Sequence, residues 1–444
     1  MKTDTQRDQV IKIFNAALQS ADPYRAVALH ADAIASLYND KNLRRLYVVG
    51  FGKASVPMAR ALEDGAGGII NDGIIIAPYG QQTGTGMIGR IRAFEARHPL
   101  PDENGLKATA GILNLMDGLD DRTLVVCLVS GGGSALLVSP CNGINLEEKQ
   151  KTTNLLLKSG ANINELNAVR KHLSGVKGGR LAMRAYPARI ISLILSDVIG
   201  DRLDVIASGP TSPDSTTYAD ALRIIRKYGL EEKVPASVMD ILSKGVQGIV
   251  AETPKEGNPV FERVGNTIIG SNKNAIETAM AEATRLGFDA GIISTEVQGE
   301  ARDAGRWLAK RAIEIKKRRK GETGAGGEKR PICLISGGET TVTVTGSGRG
   351  GRNTELALAY AMEIEDESGI TFLSAGSDGA DGPTDAAGAF VDGQTVSKAK
   401  AIGIDPAQHL RNNDSYTFFK RIDDLFITGL TGTNVMDLQI TLIA

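Results

Sequence analysis

The chain has 444 residues, 51 Lys+Arg against 52 Asp+Glu for a net charge of −1, and is 42% hydrophobic and 23% charged. That length suits two soluble domains, each able to bury a core, and the balanced charge argues against a dedicated nucleic-acid binder. Cys127, Cys141 and Cys333 are too few for a disulfide framework, the N-terminus has no apolar signal segment and stretches such as ARIISLIL are too short to span a bilayer, so a cytoplasmic protein with small-molecule partners, neither nucleic acid nor membrane, is expected.

Residues 4–20 place Val10, Phe14, Ala17 and Leu18 on one helical stripe that stops near Asp22-Pro23, and Ala33, Ile34, Leu37 and Tyr38 mark a second helix. LRRLYVVGFGKAS reads as a buried strand, a glycine turn and a helix beginning near Ala54. GGIINDGIIIAP, RIRAFEA, LVVCLVS and ARIISLILS read as further strands, with helices at 146–158 and 164–184. Uninterrupted apolar strands alternating with helices indicate βαβ units and a mostly parallel sheet covered on both faces. A second pattern follows residue 240. NTIIGSNKNAIETAMAEATRLGFDAGIIS is strand, turn, helix, strand; residues 300–320 form a helix whose basic end suits its dipole, followed by an exposed glycine loop to Pro331. PICLIS and ETTVTVTG read as a strand and its β-branched partner, and further strands lie at FLSAG and toward the C-terminus. The expected division is an N-terminal Rossmann-like α/β domain at 1–245 and a smaller C-terminal α/β domain at 246–444. The hinge is expected within 230–260, which holds Pro235, Gly245, Gly248, Pro254, Gly257 and Pro259.

Several strands end in glycine turns: GFGKAS, SGGGSA, SDVIGDRLDVIASGPT, SGGETT, GSGRGGRN and SDGADGPTD. A glycine turn at the carboxyl end of a strand exposes backbone N–H groups, and with a helix N-terminus behind it cradles an anion. The phrase Ser-Gly-Gly occurs twice, at Ser130-Gly131-Gly132-Gly133-Ser134 and at Ser336-Gly337-Gly338. Two common phosphate motifs fit poorly. GFGKAS lacks the first glycine and the hydroxyl residue of a P-loop, having Tyr47 and Ala54 there. It also has Ser55 where a dinucleotide fingerprint needs its third glycine, although Asp72 falls at a suitable distance.

The charged residues in these turns suit phosphoryl transfer, which is positioning plus neutralisation of phosphate oxygens. Lys53 follows Gly52 at a helix start, and Arg349 and Arg352 flank glycines and could grip an anion with a guanidinium fork. Asp197, Asp378 and Asp381 lie at strand ends, where carboxylates hold Mg²⁺ or orient an attacking hydroxyl; for Asp381 a helix cap is an equal reading. Arg170, Lys171, Ser174, Lys177 and Arg180 form a dense cluster that could supply a cation. The four histidines have no metal-ligand spacing, and His98 in RHPLPD reads as a structural turn.

In order, VVGFGKAS, HPLPDENG, CLVSGGGSALL, NAVRKHLSGVKGGRLA, LSDVIGDRLDVIASGPT, CLISGGETTVTVTGSGRGGRN and SAGSDGADGPTDAAGA resemble the glycerate 2-kinase family over nearly the whole chain. The resemblance implies a Rossmann-like domain, a C-terminal MOFRL domain, a cleft between them, and phosphorylation of D-glycerate at its 2-hydroxyl with ATP and Mg²⁺. Some members have carried the name hydroxypyruvate reductase, so an NAD(P)-dependent oxidoreductase is the alternative. Carried over by motif, Lys53, Asp197, Arg352 and Asp378 are the catalytic candidates, Asp197 and Asp378 the metal candidates, and Asn413 or its neighbour Asn412 a binding candidate. Each Ser-Gly-Gly turn is then expected to meet one of two anionic substrates. A monomer or a homodimer is expected.

Overall fold

The computed structural model describes residues 3–81, 86–321 and 330–444. The chain forms two compact units. One is Pro23–Ile269; the other joins the chain through Asp22 to Gly270–Ala444. Residues 322–329 of the expected glycine loop lie outside the described residues. No helix among the described residues is long and apolar enough to cross a membrane.

The first unit carries β1 (Arg45–Phe51), β2 (Asp72–Pro78), β3 (Met87–Ile88), β4 (Ile91–Ala96), β5 (Thr123–Val129), β6 (Arg189–Leu195) and β7 (Val264–Gly270). Their order in the sheet is β3-β4-β2-β1-β5-β6-β7. β4, β2, β1, β5 and β6 pair in parallel, and β3 runs antiparallel to β4. Every residue of β5 is buried, as its unbroken apolar run requires. The chain winds outward from β1 through β2 to β4, then returns to the other side of β1 with β5. The strand order therefore reverses between β1 and β5, the place where open α/β sheets bind ligands.

The second unit carries β8 (Asp289–Val297), β9 (Ile332–Gly338), β10 (Ile370–Gly376), β11 (Gly388–Asp392), β12 (Leu425–Phe426) and β13 (Asp437–Ile443), in the order β12-β11-β10-β13-β9-β8. Only β8 and β9 pair in parallel among these neighbours. The N-terminal helix Thr3–Ser20 belongs to this unit. Phe14 meets Phe426 edge-on at 5.3 Å, and Thr371 donates to Gln6 at 2.9 Å.

The helix expected at 164–184 is two, Ile163–His172 and Arg180–Ala185, and three readings of the domain and strand arrangement also differ from the structure. The division expected at 245/246 and the observed units differ because a helix's apolar stripe reveals that it must be buried, not which sheet it covers, and because β7 completes the first sheet. Residues 230–260 lie inside the first unit, where the helix Ala236–Val246 buries Val238 and Leu242 in a cluster with Tyr218 and Leu230. ETTVTVTG is no strand: it makes a single bridge, Thr341 to Glu300, and is otherwise irregular. β9 instead takes β13 and β8 as its neighbours, so β-branched composition had no edge left to pair with.

Candidate active site

The turns after β1 and β5 are bound to each other. Lys53 N–H donates to Gly131 O at 2.8 Å, Ala54 N–H to Ser130 Oγ at 3.0 Å, and Ser130 N–H to Phe51 O at 3.1 Å. Gly132 has φ +82°, a conformation that strains any residue with a Cβ. The turn then enters the short helix Gly133–Leu136. The N–H groups of Gly131 and Gly132 donate to nothing among the described residues. A Cβ on Gly131 would lie 2.3 Å from Asp197 Oδ2, so the carboxylate that follows β6 sits directly on this turn. A Cβ on Gly132 would lie 2.9 Å from His98 Cδ2 and 3.5 Å from Lys53 Cγ. Lys53, His98, Asp197 and the first Ser-Gly-Gly turn are thus one constellation. The Lys53 ammonium has no ion pair among the described residues. Burial first, and then Lys53, lower the pKa of His98, so its imidazole is neutral at pH 7.

Beside Gly132 and Ser134 opens a cavity of about 290 Å³. Three of its lining residues are cations, Lys149, Arg170 and Lys177, and none is an acid. Local sequence explains their placement. Asn145 and Glu148 close a capping box that starts the helix Leu146–Lys158, and Lys149 lies on that helix's buried stripe with Leu146, Thr152 and Leu156. Asn162 and Glu165 start the helix Ile163–His172 in the same way, and Arg170 stands in its last turn. Lys177 donates to Ser134 O at 2.8 Å. Ser134 Oγ lies 2.7 Å from Ser208 Oγ, which donates to Asn167 Oδ1 at 3.1 Å. The rest of the dense cationic cluster is structural. Lys171 is buried against Asp214 at 3.2 Å, and Arg180 donates to Lys171 O and Ser174 O.

In the second unit, Ser336-Gly337-Gly338 does not turn. It is the end of β9, in register with Gln439, Leu438 and Asp437 of β13. Ser336 Oγ donates to Gln439 Oε1 at 3.2 Å, and a Cβ on Gly338 would lie 2.2 Å from Val297 O. Beyond this strand end, Arg352 begins the helix Arg352–Glu363. Its guanidinium bonds both oxygens of Asp437, at 2.6 and 3.0 Å, and Glu339 at 2.6 Å. Burial opposes the Arg352 charge, but Asp437 overrides it and holds the guanidinium protonated. Asp381 is buried and accepts from Asn353 N–H (2.8 Å), Thr354 N–H (2.8 Å) and Thr354 Oγ1 (2.7 Å). It is the helix anchor that was one of its two readings. Asp378 is half-buried after β10 and accepts from Ala380 N–H at 3.1 Å. Asn413 Oδ1 accepts from Thr345 N–H and Gly346 N–H, each at 2.9 Å, while its Nδ2 donates to Glu355 at 3.0 Å. Asn412 and Asp414 accept from Ser347 and Arg349 N–H, so three successive side chains hold the GSGRGG loop. Arg349 packs over the Tyr416 ring at 4.5 Å.

Residues 9–243 match a family model described as a domain of unknown function, DUF4147, and residues 332–437 match the MOFRL family. The D-glycerate 2-kinase of Thermotoga maritima is 46% identical over 433 residues, 98% of this chain and 97% of that protein. The glycerate 2-kinase of Pyrococcus horikoshii is 42% identical over 443 residues, 98% of this chain and 97% of its own. The chain belongs to the glycerate 2-kinase family. A crystal structure of glycerate kinase from Thermotoga maritima matches this member of the family with a TM-score of 0.87 at 45% identity, covering 99% of this chain and 100% of that one.

Two residues of the candidate site in this glycerate 2-kinase family member escape a sequence reading. His98 looks like a turn residue, and only the fold brings it over Gly132. Lys149 hides in LEEKQKTTNLLLK, which has the charge of a solvated helix; the signal was a lysine in register with Leu146 and Leu156 on the apolar stripe.

Proposed function

We propose that this chain is an ATP- and Mg²⁺-dependent glycerate 2-kinase acting on small molecules in the cytoplasm. The observation that carries the reading is the acid-free cationic cavity beside Lys53 and the first Ser-Gly-Gly turn. Both substrates of such a reaction are anions, and this turn offers N–H donors beside a Lys53 ammonium that makes no ion pair among the described residues. The names of the full-length relatives support the same reaction. The incomplete dinucleotide fingerprint at GFGKAS counts against the reductase alternative.

In the proposed reaction the 2-hydroxyl oxygen of glycerate attacks the γ-phosphorus of ATP. The new O–P bond forms as the bridging P–O bond to ADP breaks, and the hydroxyl proton leaves to a base. Lys53 would neutralise charge on the transferring group. Neutral His98, beside Lys53 and Gly132, is a base of suitable protonation. Arg352, fixed by Asp437 and Glu339, would hold an anionic oxygen with its remaining N–H groups.

Among the described residues no group of three His, Cys, Asp or Glu side chains could hold a metal by itself. Mg²⁺ in kinases is held by one or two carboxylates plus substrate phosphates, so a carboxylate at a strand end fits it. Asp197 of the first unit and Asp378 of the second are each proposed as such a carboxylate. When bound, Mg²⁺ would neutralise the phosphate oxygens. Of the second phrase, Ser336, Gly337 and Gly338, we propose a structural part: they close β9 so that Glu339 meets Arg352.

Purified protein with ATP, Mg²⁺ and D-glycerate should release ADP, and NMR of the product should place phosphate on the 2-oxygen. No turnover, together with NAD(P)H oxidation on hydroxypyruvate, would replace this reading with the reductase.

A further inference from the structure

The cavity beside Gly132 holds more positive charge than its own structure uses. Lys177 is committed to the carbonyl oxygens of Ser134 and Ala207. Lys149 is only 5% exposed, and its Nζ has no hydrogen-bond partner among the described residues. Arg170 has no ion pair among the described residues. Buried cations without partners are costly unless something anionic completes them. The lining contains no acid to do so.

Resting on the kinase reading above, we propose that this cavity is the carboxylate subsite for the acceptor acid, with Lys149 and Arg170 gripping the carboxylate. Size admits the acid. Pockets for drug-sized ligands span roughly 300–1,000 Å³, and this cavity of about 290 Å³ suits a three-carbon acid. Position agrees. Gly132 is both a wall of the cavity and the neighbour of His98 and Lys53. An acid anchored by its carboxylate at Lys149 and Arg170 presents its adjacent carbon, the one bearing the 2-hydroxyl, toward that wall. The subsite thereby selects hydroxy acids over neutral polyols and the 2-hydroxyl over the 3-hydroxyl.

A pH signature follows. In the empty cavity burial pulls Lys149 down to about 7; Cys141 works against this, and the charges of Arg170 and Arg180 add to it. Lys177 faces the same group. Below about pH 7 Lys149 is already charged and ready for the anion. Above it, binding must first take up a proton, so acid affinity falls by up to about tenfold per pH unit.

The test is calorimetric titration of the full chain with D-glycerate, glycerol and Mg–ATP at pH 6.5 and 8.5, for wild type, Lys149→Met and Arg170→Met, alongside KM values and thermal midpoints. Wild type should bind D-glycerate but not glycerol, and at least tenfold more weakly at the higher pH. Each substitution should weaken D-glycerate by about 30-fold or more, leave Mg–ATP within about twofold, and abolish the preference over glycerol. Lys149→Met should also flatten the pH dependence and raise the thermal midpoint of the free protein below pH 7, because an unpaired buried charge is gone. A purely structural lysine would do the opposite. If Lys149→Met does not fold, Arg170→Met decides by the same criteria. Unchanged glycerate binding in the folded variants, a loss confined to Mg–ATP, or no glycerate binding by wild type overturns the subsite. Glycerate bound as described but never phosphorylated would sink the kinase reading and leave the subsite standing.

Discussion

After β5, Ser130-Gly131-Gly132 leaves the sheet, while at Ser336-Gly337-Gly338 the same three residues stay within it. The first copy ends a parallel strand at the point where strand order reverses, so its backbone is free to turn and the N–H groups of Gly131 and Gly132 donate to nothing among the described residues. The second copy is flanked by β13 and β8, and its backbone is used by the ladders. Its glycines serve close approach: Gly338, at φ +150°, lies where a side chain would strike the Val297 backbone. Identical residues therefore carry different chemistry according to whether the neighbouring strands leave backbone groups unpaired.

The largest effects should separate the copies by what fails. Gly338→Ala places a Cβ against backbone that cannot swing away, so a stability loss of about 3–5 kcal/mol is expected, read as a collapse of the thermal midpoint and of soluble yield. Gly132→Ala meets the His98 side chain and a left-handed backbone instead. It should cost about 1–2 kcal/mol of stability but remove most activity. If Gly338→Ala folds normally and only loses activity, the second copy is a binding element after all.

Lys53→Ala should lower kcat on the order of 10²–10³-fold, about 3–4 kcal/mol of transition-state stabilisation, with the thermal midpoint unchanged. A near wild-type rate would remove Lys53 from the mechanism. Asp437→Asn should lower kcat/KM about tenfold by loosening Arg352, and Arg352→Lys should not substitute, since an ammonium cannot form the same fork. Equal rates for wild type and Asp437→Asn would leave that ion pair purely structural.

The sequence made the parallel sheet legible through its unbroken apolar strands, and the resemblance pointed to Lys53, Asp197, Arg352 and Asp378. What it could not convey were facts of tertiary register. LVSGG and LISGG are locally alike, and nothing in either says that one is followed by a helix at a switch point and the other is clamped between strands. Asn413 was named as a binding candidate, yet its side chain is occupied by Thr345, Gly346 and Glu355. Asp381 was undecided because a strand-end aspartate looks the same whether it meets a metal or a helix start. Lys149 was missed because its charge argues for solvent and only its phase on the helix argues otherwise.

The smallest expected effect is Ser336→Ala, which removes one buried hydrogen bond to Gln439. It should cost about 1 kcal/mol of stability with turnover intact, whereas Ser130→Ala, which takes the acceptor from Ala54 N–H at the first turn, should impair turnover as well. Matching profiles for the two serines would erase the distinction between the copies.

The most direct measurement follows the amide resonances of both phrases while D-glycerate and a non-hydrolysable Mg–ATP analogue are titrated into selectively labelled protein. The account predicts large, saturable shifts at Gly131, Gly132 and Ser134, with the ladder amides of Ser336, Gly337 and Gly338 nearly still. Large shifts at Gly337 and Gly338 with silence at Gly131 and Gly132 would contradict it.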